Sequence, residues 1–161
     1  MEVIDNFLRE SDFKNIQHIL LDSRIPWYYN PFILSRLGDL DSNFQFTHAF
    51  ICKKMQKKSE FLPVVYPIGD ALGIKKVYRI KGNLTPRTKE HCFTGYHIDG
   101  FECPHTAIYY INTNNGWTDF ENGDKVESVA NRVVIFDSKL KHQAVTCTDE
   151  KVRVVINFNY A

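Results

Sequence analysis

The chain has 161 residues, of which 43% are apolar, 24% charged and 14% aromatic, with a formal net charge of +1. That balance fits one globular domain and excludes a disordered or fibrous chain, while a charge this close to neutral lacks the basic footprint of most phosphate-backbone binders. No stretch approaches the ~18 apolar residues of a membrane span, and the start MEVIDNFLRESDF has no basic region followed by a long apolar one. The expectation is a soluble protein of the cytoplasm. Cys52, Cys92, Cys103 and Cys147 form no Cys-x-x-Cys pair and read as reduced thiols.

In chain order, Ser11 can cap a helix over residues 11 to 22, where Phe13, Ile16, Ile19 and Leu20 fall at helical spacing. IPWYYNPF is aromatic and punctuated by Pro26 and Pro31, which predicts a loop, whereas QFTHAFICK has the mixture of a strand. A second helix is expected over residues 60 to 72, with Ser59 as cap, Gly73 as terminator and Pro67 kinking or dividing it. From Lys76 onward, KKVYRIKGNL, EHCFTGYHID, HTAIYYINT, NRVVIFD, HQAVTCT and KVRVVINFNY are β-branched and aromatic runs. NTNNG, ENGD and CTDE separate some of them with residues suited to tight reversals. The prediction is a mainly β fold, a double-stranded β-helix (jelly roll) with two supporting N-terminal helices. It forms one domain over residues 1 to 161, with support in 1 to 75 and the core in 76 to 161.

His97 and Asp99 sit two apart in GYHIDG, so on a strand both side chains project from one face. His142, at the start of a later predicted strand, is the third candidate ligand. Two histidines and a carboxylate occupy one face of an octahedron and leave open positions, the arrangement of non-haem Fe(II) oxygenases. A chance His-x-Asp on a solvated strand is the plainer reading of the pair alone. A rival metal reading takes His91, Cys92, Cys103 and His105 as a zinc site, although their spacing matches no usual zinc module. His18 and His48 read as ordinary helix and strand residues.

Alternation along RVVINFNY puts Arg153, Val155, Asn157 and Asn159 on one face. If that face is outward, Arg153 is a solvated charge. If it is inward, the guanidinium needs an anion, and a dicarboxylate cosubstrate supplies one, with Tyr110 and Thr106 as further donors.

With His97, Asp99, His142 and Arg153 in that order, residues 76 to 160 resemble the prolyl-hydroxylase-like branch of the 2-oxoglutarate/Fe(II) oxygenases. TAIYYIN is similar to the family's strand after His-x-Asp, where a Thr and the second Tyr reach the cosubstrate, which implies Thr106 and Tyr110. NGWTDF is similar to its Gly-Gly-x-Thr-x-Phe turn. The match of the last strand implies that Arg153 holds the distal carboxylate and that Asn157 lies near the metal. Asn83 or Lys81 stands where relatives place a Tyr or Asn facing the cosubstrate. The sequence departs from the pattern at Asn115, usually Gly, and at Val155, where some relatives have a Ser or Thr that bonds the carboxylate. YRIKGNLTPR and DEKVRVVINFNY also resemble small oxygenases of marine bacteriophages, which implies the host cytoplasm as the place of action.

The resemblance implies Fe(II), 2-oxoglutarate and dioxygen as the reacting set. Oxidative decarboxylation to succinate would accompany hydroxylation of a C–H bond in a small molecule or peptide, a prolyl residue or free amino acid first of all. Asp99 argues against a halogenase, since related halogenases replace that carboxylate. Oxidative demethylation of nucleic acid and a non-catalytic metal-binding module are the alternatives. The basic run Lys53, Lys54, Lys57 and Lys58 bears on the first, but a solvated face explains it as well. Trp27, Tyr28 and Tyr29 form either a substrate wall or an aromatic loop packed on the barrel.

Overall fold

Strand propensity in the second half is realised as antiparallel pairing throughout. The structure, a computed structural model, describes residues 1–31, 33, 44–99 and 103–161; Phe32 of IPWYYNPF and Gly100 of GYHIDG lie outside them. In order come β1 (Glu2–Ile4), α1 (Glu10–Leu21), β2 (Tyr28–Asn30), β3 (Gln45–Cys52), β4 (Lys57–Lys58), α2 (Tyr66–Ala71) and β5 (Val77–Pro86). These are followed by β6 (His105–Tyr110), β7 (Trp117–Phe120), β8 (Lys125–Glu127), β9 (Arg132–Asp137), β10 (His142–Val145) and β11 (Val152–Tyr160). The larger sheet runs β1-β9-β6-β11-β5-β3-β2, with β4 added on β3, and the smaller runs β10-β7-β8. The predicted jelly roll with two helices is the observed architecture. Among the described residues no helix is long and apolar enough to cross a membrane.

The larger sheet is covered on both faces, and β11 shows how. Val154, Ile156, Phe158 and Tyr160 join Phe13, Ile16 and Leu20 of α1 in one core. Burying Ile16 and Leu20 completely contributes about 1.5–3 kcal/mol each. On the opposite face Val155 packs with Ile108, Tyr110, Val134 and Phe136 against Phe120 and Val126 of the smaller sheet. The alternation in β11 therefore resolves to the inward reading, and Arg153 is only 2% exposed.

Several local details differ from expectation. Helix α1 starts at Glu10 with Arg9 as its N-cap and no side-chain cap, so Ser11 lies inside the first turn, where Glu10 and Asp12 face the positive end of the helix dipole. The expected second helix divides into a 3-10 turn, Leu62–Val65, and α2, with Pro67 in the first turn of α2, where a missing N–H costs nothing. The expected Ser59 cap is not formed: Phe61 is the N-cap of the 3-10 turn and Val65 that of α2, neither with a side-chain cap, and the Ser59 hydroxyl accepts the Phe61 amide at 3.1 Å in the turn before them. In the expected loop, Tyr28–Asn30 pairs with Gln45–Thr47 as an edge strand. Residues 90 to 99 form no continuous strand; the isolated bridges Phe93↔Val145 and His97↔His142, with side-chain bonds from Gly95 N to Gln143 Oε1 and from Ala144 N to Thr94 Oγ1, tie them to β10. Between these bridges Gly95 takes a φ of +90°, which lifts the chain out of the ladder.

The N-terminal segment is latched by Asn131. Its side chain accepts from Leu8 N at 2.9 Å and donates to Leu8 O at 2.9 Å, while β1 pairs along β9.

Candidate functional site

His97 and His142 face each other across an antiparallel bridge, each backbone N–H donating to the other's carbonyl at 3.0 Å. Their ring centroids stand 4.7 Å apart. The Nδ1 atoms lie 3.2 Å from Gly95 O and 3.3 Å from Leu140 O, contacts that place a proton on Nδ1 and leave both Nε2 lone pairs free. His142 Nε2 is buried and, among the described residues, has no hydrogen-bond partner. Burial holds the pKa of His142 below the usual imidazole value despite the nearby Asp99, so the ring is neutral and able to ligate. The ligand atoms of His97, Asp99 and His142 all lie within 4.8 Å of one another.

Asp99 is held by groups on two neighbouring strands. Arg79 Nη2 lies 2.8 Å from its Oδ1, and Asn159 Nδ2 donates to its Oδ2 at 2.9 Å. Arg79 Nε donates to Asn159 Oδ1 at 2.9 Å, closing a triangle across the register pair Asn159↔Arg79. Burial alone would raise the Asp99 pKa, but the Arg79 guanidinium and the Asn159 hydrogen bond outweigh it and hold the carboxyl at about 2. The carboxylate is thus ionised before any cation arrives. An orphaned imidazole nitrogen, a second imidazole and a fixed carboxylate are a donor set suited to a divalent transition metal with open coordination positions.

The cavity that opens from these residues is also lined by Lys81, Asn83, Thr85, Thr118, Arg153, Val155 and Asn157. Arg153 Nε donates to Ser128 Oγ at 2.9 Å and Nη2 to Thr118 Oγ1 at 3.0 Å, both neutral acceptors. Burial lowers its pKa from the usual arginine value, with no carboxylate partner among the described residues. The Tyr110 hydroxyl donates to the same Thr118 Oγ1 at 2.7 Å. With both acceptor sites of that hydroxyl engaged, its own proton is left to donate elsewhere. Gly116 makes this arrangement possible: a Cβ there would stand 2.7 Å from Val145 O and 2.9 Å from Arg153 Cδ. Asn115, the departure from the usual glycine, accepts from Thr148 N at 2.8 Å and donates to Thr148 Oγ1 at 2.7 Å, fixing the turn beside β11.

Lys81 stands along the wall with no hydrogen-bonding or ionic partner among the described residues. Burial and the neighbouring Arg79 lower its pKa to about 8, against a smaller opposing effect of Asp99. Asn83 Nδ2 donates to Asn157 Oδ1 at 3.3 Å.

Of the residues expected at the site, His97, Asp99, His142, Arg153, Asn83, Lys81 and Asn157 all line this one cavity. Thr106 and Tyr110 do not. Thr106 accepts from Asn159 at 3.0 Å behind Asp99, and Tyr110 stands behind the wall, its hydroxyl on Thr118 and its ring 5.7 Å from the Arg153 guanidinium, because fully buried hydroxyls must spend their bonds inside the wall. Arg79, Asn159, Thr118 and Ser128 were missed. The alternation of Arg79, Lys81, Asn83 and Thr85 with Ile80, Gly82 and Leu84 was the available signal for Arg79.

The zinc alternative is not assembled: among the described residues the one group of three or more potential ligands is His97, Asp99 and His142. His91 Nδ1 is instead 2.7 Å from Thr146 O. Lys53, Lys54, Lys57 and Lys58 are exposed and line no part of the cavity. Trp27 packs against the Gly82 backbone on the helix side of β5 and donates to Leu20 O at 3.3 Å, while Tyr28 and Tyr29 are exposed.

The sequence matches no protein-family model and no curated protein. Solved structures do resemble it. A Trichoplax adhaerens prolyl hydroxylase, solved with a hypoxia-inducible-factor peptide fragment, superposes with a TM-score of 0.64 at 14% identity, covering 99% of this chain and 82% of that one. A Pseudomonas putida prolyl-4-hydroxylase gives 0.58 at 14% identity, covering 99% and 92%. The non-haem α-ketoglutarate-dependent epimerase SnoN gives 0.62 at 13% identity, covering 99% and 76%. At these identities the likeness shows the fold.

Proposed function

We propose that this protein is an Fe(II)- and 2-oxoglutarate-dependent oxygenase that hydroxylates a small-molecule or peptide substrate, a prolyl residue or free amino acid first of all. The observation that carries the reading is one cavity with two complementary ends. An orphaned His142 Nε2 beside His97 and an ionised Asp99 lies at one end, and at the other a buried arginine with no carboxylate partner among the described residues. His97, Asp99 and His142 would hold the iron, which when bound supplies dioxygen activation coupled to conversion of the 2-oxo acid to succinate and carbon dioxide.

The chain's own contribution is positioning. Arg153 offers its remaining guanidinium N–H groups to the distal carboxylate, and Thr118 donates the hydroxyl bond that Val155 cannot. Tyr110 and Ser128 orient these two donors from behind, and Asn83 and Asn157 face the cosubstrate along the wall. Thr106, through Asn159, fixes the carboxylate of Asp99. The wording shared with phage oxygenases makes the host cytoplasm the proposed place of action.

The test is anaerobic titration of 2-oxoglutarate with Fe(II) present, following the metal-to-ligand absorption band. Breaking a buried ion pair from one side costs about 3–5 kcal/mol, so Arg153→Ala should weaken binding at least a hundredfold. Arg153→Lys should recover only part, because it keeps the charge and loses the planar fork. Equal affinities in all three proteins would remove Arg153 from the cosubstrate site. A non-catalytic module would bind metal yet release no succinate with any substrate.

A further inference from the structure

His97 reaches the cavity because the chain in front of it carries an extra residue. The bridges Phe93↔Val145 and His97↔His142 enclose three residues on one side, Thr94 to Tyr96, and two on the other, Gln143 and Ala144. Side chains of an extended chain alternate between faces, so an odd separation should send two of them opposite ways. Thr94 and His97 nevertheless both line the cavity. The extra residue makes a β-bulge, opened at Gly95 by its φ of +90°, with Gly95 and Tyr96 together facing Gln143. In a regular ladder Tyr96 would stand opposite His142 and point inward, while His97 and Asp99 would both turn away from the cavity.

A bulge interrupts the ladder that would otherwise hold it, and here side chains take over. The Gly95 N–H donates to Gln143 Oε1 at 3.1 Å, and the Gly95 carbonyl lies 3.2 Å from His97 Nδ1, so Gly95 stands between Gln143 and the imidazole. Gln143 is 5% exposed, and its Nε2 donates to Asp119 Oδ2 at 2.9 Å, the two residues being register partners on β10 and β7. The Tyr96 hydroxyl donates to the same oxygen at 2.6 Å. Both residues of the bulge are thus tied to Asp119, one through Gln143 and the other directly. A carboxylate only accepts, so it takes the NH2 end of the buried amide and leaves the amide oxygen for Gly95. Removing it frees Gln143 to turn its NH2 end toward the Gly95 N–H, which sets two buried donors against each other.

We propose that Asp119 is a positioning residue of the metal centre, which through Gln143 and Tyr96 holds the bulge that directs His97 and Asp99 into the cavity. This rests on the reading of His97, Asp99 and His142 as metal ligands.

The test compares wild type, Asp119→Ala and Asp119→Asn. It uses amide hydrogen exchange of the metal-free proteins, anaerobic Fe(II) titration, and the visible bands of the Co(II)-loaded proteins, which report the ligand set. In Asp119→Ala the Gly95 amide should exchange at least about tenfold faster, while β6 and β11 exchange as in wild type. Fe(II) should bind at least about tenfold more weakly, the loss usual when a group that orients a ligand is removed, and the Co(II) bands should change. Asp119→Asn keeps an oxygen for Gln143 and Tyr96, and should stay within about threefold of wild type in exchange rate and affinity. An equal loss in Asp119→Asn would assign the effect to charge and overturn the proposal. Wild-type Fe(II) affinity and Co(II) bands in Asp119→Ala would overturn it too, as would faster exchange throughout the fold, the mark of general destabilisation. Failure of the wild type to bind either ion is a separate outcome that removes the metal reading, and this role with it.

Discussion

At the metal end of the cavity the protein provides the opposing charge itself, with Arg79 2.8 Å from one oxygen of Asp99 and Asn159 on the other. At the Arg153 end the hydrogen-bond partners it provides among the described residues are the neutral hydroxyls of Ser128 and Thr118. Asp99 is consequently ionised and fixed whether or not a cation is present, whereas Arg153 bears an uncompensated desolvation cost until an anion arrives. The first end is preorganised for its ligand, and the second is completed by one. A cosubstrate bound there should therefore stabilise the fold as well as enable chemistry.

The largest expected effect breaks the metal end. His142→Ala should lower Fe(II) affinity more than a hundredfold, beyond the 10–100-fold usual for groups that only orient ligands. The change also removes the Nδ1 contact with Leu140 O and a buried ring packed against Phe120 and Phe136, so the melting temperature of the metal-free protein should fall as well. Anaerobic metal titration and thermal melts measure the two separately, and wild-type affinity would exclude His142 from the centre.

A smaller effect sharpens the contrast from the other end. Gly116→Ala places a methyl group against Val145 O and the Arg153 stem, so the guanidinium must shift. The expected outcome is about tenfold weaker 2-oxoglutarate binding, the equivalent of 1.4 kcal/mol, with Fe(II) affinity unchanged. Loss of both together would mean that the turn supports the whole cavity and not Arg153 alone.

The smallest effect concerns stability. The Lys81 pKa in the folded protein, about 8, lies below its unfolded value. Below pH 8 the lysine is charged in both states and its burial destabilises the fold. Between about 8 and about 10.5 the unfolded chain binds more protons, so stability rises with pH. Lys81→Met should thus melt higher than wild type at pH 7, with the difference fading by about pH 10.5. Thermal melts of metal-free protein at the two pH values check the sign.

Strands with a strong composition, such as VVIFD in β9 and VVINFNY in β11, were legible in the sequence because both faces had to be covered. β1 and β2 were not, since three residues carry no period and each exists by pairing with a partner remote in sequence. Residues 90 to 99 looked like a strand because composition cannot register the turn of the chain at Gly95. At the site, His97, Asp99, His142 and Arg153 stood out by residue type and order. Arg79 did not, because its meaning depends on a cross-strand neighbour, Asn159, 80 residues away. Thr106 and Tyr110 were chosen as neutral donors and by resemblance, and neither residue type nor resemblance carries information on whether a hydroxyl faces the cavity or is bonded within the wall.

The latch at Asn131 has a consequence for solubility. β1 lies along β9, which would otherwise be the last strand of the larger sheet, and the two side-chain bonds to Leu8 keep the segment seated. Detaching it would uncover unpaired N–H and C=O groups on β9, beside Val133, Val134 and Ile135, the kind of edge along which separate chains recruit one another into growing sheets. The first eight residues thus cover an edge that would otherwise be open to pairing, a contribution separate from the chemistry of the cavity.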